Sequence, residues 1–128
     1  VKVYKMKNKQ DGKEYYAYLY FVKPKLTVGP SVTGFMVYDG PNGKQYYYQI
    51  DGINIKVIQE VVITIDGKET KLPLSVLGQT STITTCTFEC PLSVVAQHNN
   101  ATAITLAYGQ YADILVPKDV QNIARILQ

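Results

Sequence analysis

Between residues 53 and 65 the chain reads Ile-Asn-Ile-Lys-Val-Ile-Gln-Glu-Val-Val-Ile-Thr-Ile; every odd position except Gln59 is aliphatic and most even positions are polar. Side chains that alternate with a period of two point to opposite faces of an extended backbone. The stretch therefore predicts one long strand, or two strands in line, with one buried face. Asp66-Gly67 follows, a dipeptide that tolerates the positive φ of a tight hairpin turn, and the chain returns through residues 69–74. A β-hairpin at the centre of the chain is the expectation around which the rest is arranged.

Further strands are expected at residues 1–7, 14–23, 34–39, 44–50, 82–89, 101–108 and 111–116, separated by turn residues such as Asp11-Gly12, Gly40-Pro41-Asn42-Gly43, Asp51-Gly52 and Gly109-Gln110. Residues 24–33, with Pro24, Gly29 and Pro30, and residues 75–81, with Gly78, read as loops. Residues 91–98 predict a short helix, with Pro91 at its start and Leu92, Val95 and Ala96 on one side. Residues 117–128 predict an amphipathic helix with Val120, Ile123, Ala124 and Leu127 on one stripe; Asp119 and Arg125 suit its dipole. The connections are too short for parallel crossovers. The expected fold is mainly β: an antiparallel two-sheet β-sandwich of about eight or nine strands, with a short internal helix and a C-terminal amphipathic helix.

A chain of 128 residues makes one domain and buries a core without staples. It contains 11 Tyr against 3 Phe and no Trp, which suits a pleated, half-buried surface. Charge is uneven. Residues 1–25 hold seven Lys against Asp11 and Glu14, a net of +5, whereas the remainder is at −2. Lys2, Lys5, Lys7, Lys9 and Lys13 could attract a polyanion. The alternative, which we favour, is a solvated pair of edge strands kept from aggregating by lysine; no specific nucleic-acid partner is expected. No run approaches the ~20 apolar residues of a membrane span. Starting at Val1 and not Met, the sequence reads as a processed or excised form, with any signal peptide or anchor upstream.

Chemistry-bearing patterns are sparse. Cys86 and Cys90 would lie about 13 Å apart in one extended strand, too far for a disulfide. They read first as reduced core or strand-end residues, with a local disulfide or a weak metal site completed by His98 as alternatives. His98 is the single histidine, so a Ser–His or Cys–His pair would have to use it. At the end of a short helix, a solvated or dipole-pairing role is the simpler reading. No paired acid and base stands out among the carboxylates, and no phosphate- or dinucleotide-binding glycine pattern occurs, so no cofactor is expected and an enzyme is the lesser reading. Asn100-Ala-Thr102 matches a glycosylation acceptor, a triplet common by chance.

The tyrosines are the feature that folding explains least. Tyr15, Tyr16, Tyr18 and Tyr20 share one strand, Tyr46, Tyr47 and Tyr48 another, and Tyr38 lies between them in sequence. A tyrosine offers a flat apolar face and a polar tip at small entropic cost, which suits protein interfaces and glycan stacking. The expected binding platform is Tyr16, Tyr18 and Tyr20, joined by Tyr46 and Tyr48; the competing reading is that these rings supply sheet packing.

From residue 61 onward the order of elements resembles a pattern seen in uncharacterised bacterial envelope proteins. It is carried by residues 60–68, 88–96, 103–109 and 116–127: a strand with an Asp-Gly turn, a strand, a short helix, two strands and a closing helix. The resemblance implies a secreted or cell-envelope β-domain without a catalytic motif. Together these readings suggest a non-enzymatic extracytoplasmic domain that binds protein or glycan through a tyrosine-bearing sheet. The alternatives are a small enzyme using His98 and nearby carboxylates, or polyanion binding by the lysine-rich N-terminal hairpin.

Overall fold

The structure is a computed structural model that describes residues 2–7, 12–22, 29–54, 56–80 and 84–127. Residues 24–28 of the predicted loop at 24–33, much of the turn around Asp11, Lys9, Ile55, and the side chains of Lys2, Tyr4 and Met6 lie outside the described residues; residues 31–33 of that loop belong to a strand. In chain order the elements are β1 (Lys2–Lys7), β2 (Glu14–Phe21), β3 (Ser31–Gly40), β4 (Gly43–Asp51), β5 (Glu60–Ile65), β6 (Lys68–Pro73), β7 (Ser75–Gln79), β8 (Thr84–Glu89), α1 (Leu92–Gln97), β9 (Ile104–Tyr108), β10 (Tyr111–Ile114) and α2 (Pro117–Ile126). The fold is mainly β and sandwich-like. One sheet runs β1-β2-β3-β4-β8-β7 and the other β10-β9-β5-β6, with every described pairing antiparallel.

The two inner faces make a single core. Phe35, Val37, Tyr48, Ile50, Cys86 and Phe88 line it from the larger sheet, and Val61, Ile63, Ile65, Ile104, Leu106 and Tyr108 from the smaller. Val94 of α1 and Val120 and Ile123 of α2 complete it, so the helices help to close the inner face. The predicted hairpin stands at the centre of the smaller sheet. β5 alternates inward Val61, Ile63 and Ile65 with outward neighbours, and Asp66 (φ 48°) and Gly67 (φ 87°) form its two-residue turn. Asp66 also ties the hairpin to the approach of β9. Its carboxylate accepts from the Thr102 hydroxyl (2.8 Å) and from the backbone N–H groups of Thr102 and Ala103, which hold its pKa below the ordinary carboxylate value.

Two local expectations are corrected. The strand predicted over 53–65 begins only at Glu60. The Asn54 carbonyl accepts from the N–H groups of Val57 (3.0 Å) and Ile58 (2.8 Å), and its side-chain oxygen accepts from Lys56 N–H (3.2 Å). An asparagine that satisfies neighbouring backbone groups in this way competes with a strand ladder. Ile53 and Ile58 are still buried, but Val57 is 76% exposed. Conversely, residues 75–79 form β7 where a loop was expected. None of its residues is buried, so hydropathy carried no signal, and the strand is defined by its backbone pairing with β8.

The helices are where expected. α2 buries Val120 and Ile123, with Leu127 packed beside them. α1 differs from its predicted face: Val94 is its buried residue, while Leu92 and Ala96 are exposed. Six residues are too few for a 3.6-residue period to fix the inward side. Cys86 and Cys90 are both buried free thiols, and burial pushes the Cys90 pKa up to about 12, so the thiols serve as core residues. No helix among the described residues is long and apolar enough to cross a membrane.

Replacing Ile63, which is 1% exposed, by Ala should cost about 2–5 kcal/mol of unfolding free energy. Val57→Ala, in the segment that leaves the strand pattern, should stay within about 0.5 kcal/mol. Urea denaturation of both variants checks the pair; similar losses would contradict the turn at Asn54.

Candidate functional site

Antiparallel register assigns every side chain of the larger sheet to one of two faces. Tyr18 stands opposite Val37 and Tyr20 opposite Phe35, whereas Ala17 stands opposite Tyr38 and Leu19 opposite Met36. β3 in turn sets Phe35 against Tyr48, Met36 against Tyr47 and Tyr38 against Gln45. Directly paired residues share a face. The face holding Phe35 and Val37 is the core, so the rows of Tyr16, Tyr18 and Tyr20 and of Tyr46 and Tyr48 turn inwards.

The proposed platform residues are therefore placed as follows. Tyr48 is fully buried, with its ring stacked on Phe88 (5.2 Å between centroids) and edge-on to Phe35 (4.8 Å). Tyr18, Tyr20 and Tyr46 are half-buried against the core. The Tyr20 hydroxyl donates to Asp119 Oδ1 (2.6 Å) and accepts from Asn122 Nδ2 (3.1 Å), which puts it under α2. Of the set, Tyr16 alone is substantially exposed, at 42%. These five rings are mostly packing residues, not an open platform.

The opposite row faces away from the core. Tyr15, Met36, Tyr38, Tyr47 and Leu77, with Lys7, Gln45 and Thr87, line a concave area of about 430 Å³ on the outer face of the larger sheet. Tyr38 and Tyr47 meet edge to face, with ring centroids 5.6 Å apart. Tyr15 lies so close over Gly40 that a Cβ there would collide with its ring. A bulge in β7 makes Leu77 an extra residue between Val76 and Gly78. Bulges of this kind re-aim side chains, and this one stands beside the concavity that Leu77 lines. Partial burial raises the Tyr47 pKa, with the Glu89 carboxylate and Tyr38 adding to the shift, so its hydroxyl stays protonated and able to donate.

Sequence reasoning missed Tyr15, Tyr38 and Tyr47 as a group, although β4 carried the signal. There Gln45, Tyr47 and Gln49 alternate with Tyr46, Tyr48 and Ile50. Ile50 and the two glutamines together fix which tyrosines point in.

His98 is corrected as well. Far from being solvated, it is 1% exposed. Its Nδ1 lies 2.8 Å from the Val94 carbonyl, which can only accept, so Nδ1 carries the proton. Nε2 then accepts from the Tyr48 hydroxyl at 2.8 Å. Burial lowers the His98 pKa and raises that of Tyr48 well above its ordinary value, leaving a neutral pair in the core. The pair is structural: an imidazole enclosed in this way cannot meet a substrate.

A second buried polar group closes the other end. The Tyr108 hydroxyl donates to the buried Asp113 carboxylate, which also accepts from Val32 N–H (3.0 Å) and so joins β10 to β3 of the other sheet. Among the described residues no three of His, Cys, Asp and Glu gather to hold a metal ion. The lysine-rich hairpin is partly neutralised, since Lys5 pairs with Glu14 at 3.1 Å.

The chain matches no protein-family model, no curated protein and no solved structure. The outer face is thus read on its own chemistry.

His98, the single histidine, makes stability depend on pH in a definite direction. Its folded-state pKa is below the ordinary 6.5, so the unfolded chain takes up the proton first as pH falls. Stability should therefore drop through that value and stop dropping once the folded-state pKa is passed. Urea midpoints measured between about pH 8 and pH 5 should show the fall, and His98→Gln, which cannot titrate, should remove it.

Proposed function

We propose that this protein is a binding domain, acting outside the cytoplasm, that takes apolar side chains of a protein partner into the groove on the outer face of its larger sheet. The observation that carries the reading is the gathering of Tyr15, Met36, Tyr38, Tyr47 and Leu77 around that concavity. An antiparallel sheet with one face on the core ordinarily turns polar residues outwards. Elsewhere on this same face Gln49 and Thr85 do so.

The chemistry of the lining favours protein over glycan. Sugar recognition needs several directed polar groups beside an aromatic plane, whereas here the polar side chains other than the tyrosine hydroxyls are Lys7, Gln45 and Thr87. Leu77 adds exposed aliphatic surface, and Met36, 7% exposed, contributes an adaptable side chain to the lining. The tyrosines are rigid anchors carried on paired strands, so little order has to be gained on binding. Action outside the cytoplasm rests on the resemblance of residues 60–127 to bacterial envelope domains.

The test is selection of a displayed random peptide library on the wild-type protein, followed by amide-shift mapping of a selected peptide. Enriched peptides should carry aromatic or aliphatic residues and shift Tyr15, Met36, Tyr38, Tyr47 and Leu77. Tyr47→Ala should weaken them by about 2 kcal/mol, roughly thirtyfold. Shifts mapping elsewhere, an unaffected Tyr47→Ala variant, or groove binding by soluble oligosaccharides in place of peptides would each refute the reading.

A further inference from the structure

A sheet edge presents unpaired N–H and C=O groups, and proteins blunt such edges with charge, proline, short length, bulges or inward-pointing charges. Three of the four edges here carry charge, proline or a buried carboxylate, whereas the fourth, β7, has only its bulge and its shortness. β1 has Lys2, Lys5 and Lys7; β6 has Lys68, Glu69, Lys71 and Pro73; β10 is four residues long and holds the buried carboxylate of Asp113. β7, Ser-Val-Leu-Gly-Gln, has no charge and no proline. All five of its residues are exposed, Val76 and Leu77 among them, and it pairs only with β8 among the described strands.

We infer that β7 is the contact through which two copies of this chain pair, edge to edge and antiparallel, about a two-fold axis. Self-pairing sets a strand against its own sequence, and like charges placed opposite each other are destabilising. β1 would bring lysines together, whereas β7 brings none. Each copy carries a net charge of +3, so a contact between copies belongs where the edge itself is neutral. Pairing also covers Val76, which the single chain leaves in water, and sets the two Leu77-lined grooves side by side. The bulge between Val76 and Gly78 limits the straight stretch available, so the dimer is weak and concentration-dependent. This inference stands independently of what the groove binds.

Sedimentation velocity of the intact chain over a wide concentration range tests it. The wild type should pass from monomer to dimer, and added salt should not weaken the association. Val76→Lys and Gly78→Lys should each remain monomeric at every concentration with unchanged thermal unfolding in dilute solution; a side chain at Gly78 meets open space. In the wild type, amide exchange over β7 should slow as concentration rises, a readout that needs no variant. A wild type that stays monomeric, variants that associate as the wild type does, salt-labile association, or β7 exchange indifferent to concentration would overturn the inference.

Discussion

The constraint on which the rest depends is the parity that antiparallel pairing imposes across the larger sheet. Once Tyr48 and Ile50 are inside, register leaves no freedom to their neighbours: Phe35 and Val37 follow inwards, while Tyr47, Met36 and Tyr38 turn out. The same rule carries Tyr18 and Tyr20 in. Core and groove are two sides of one alternation. A one-residue slip in any of these strands would exchange them, burying the Gln side chains of β4 and exposing its isoleucine.

Parity alone leaves a difficulty, because it sends many hydroxyls towards an apolar interior. The structure resolves it by giving inward tyrosines partners on elements that close the sandwich. Tyr20 donates to Asp119 of α2, Tyr48 to His98 at the end of α1, and Tyr108 to Asp113 of β10. Each ring fills the space a phenylalanine would fill; the Tyr20 and Tyr48 hydroxyls tie the sheet to a helix, and the Tyr108 hydroxyl bonds the neighbouring strand β10. A buried polar group costs stability unless it is bonded, and among the described residues no buried side-chain polar atom lacks a partner. Three of the 11 Tyr thus serve in joining elements around the core.

This is also where the sequence stopped being legible. The sheets, the Asp66-Gly67 hairpin and the stripe of α2 follow from local periodicity and turn chemistry, and they appear in the structure. What local patterns could not weigh was competition between alternatives of similar strength. On β2, Ala17, Leu19 and Phe21 look more apolar than Tyr16, Tyr18 and Tyr20, yet register sets the tyrosines in the inward row, where the Tyr20 hydroxyl finds an acceptor in Asp119 of α2. At Asn54 a side-chain oxygen offers the backbone a turn where alternation suggests a strand. β7 exists through backbone bonds to β8, and nothing in Ser-Val-Leu-Gly-Gln announces them. His98 was misplaced because a helix of six residues has too little period to show its inner side.

The groove gains its meaning from what surrounds it. Outside the groove the outward rows carry Gln49 on β4 and Thr85 and Glu89 on β8, polar residues that meet water, with Phe21 at the end of β2 the exposed apolar exception. Tyr15, Met36, Tyr38, Tyr47 and Leu77 gather in one area spanning four strands, β2, β3, β4 and β7, of which β7 reaches the others through β8. Strand stability does not require this: cross-strand pairs of polar residues serve the ladder nearly as well, each pair differing by only about 0.2–1 kcal/mol. Aromatic surface left partly open carries a risk of aggregation, and the gathering of Tyr15, Tyr38 and Tyr47 on strands β2, β3 and β4, each paired on both sides, is what the proposed binding role would account for.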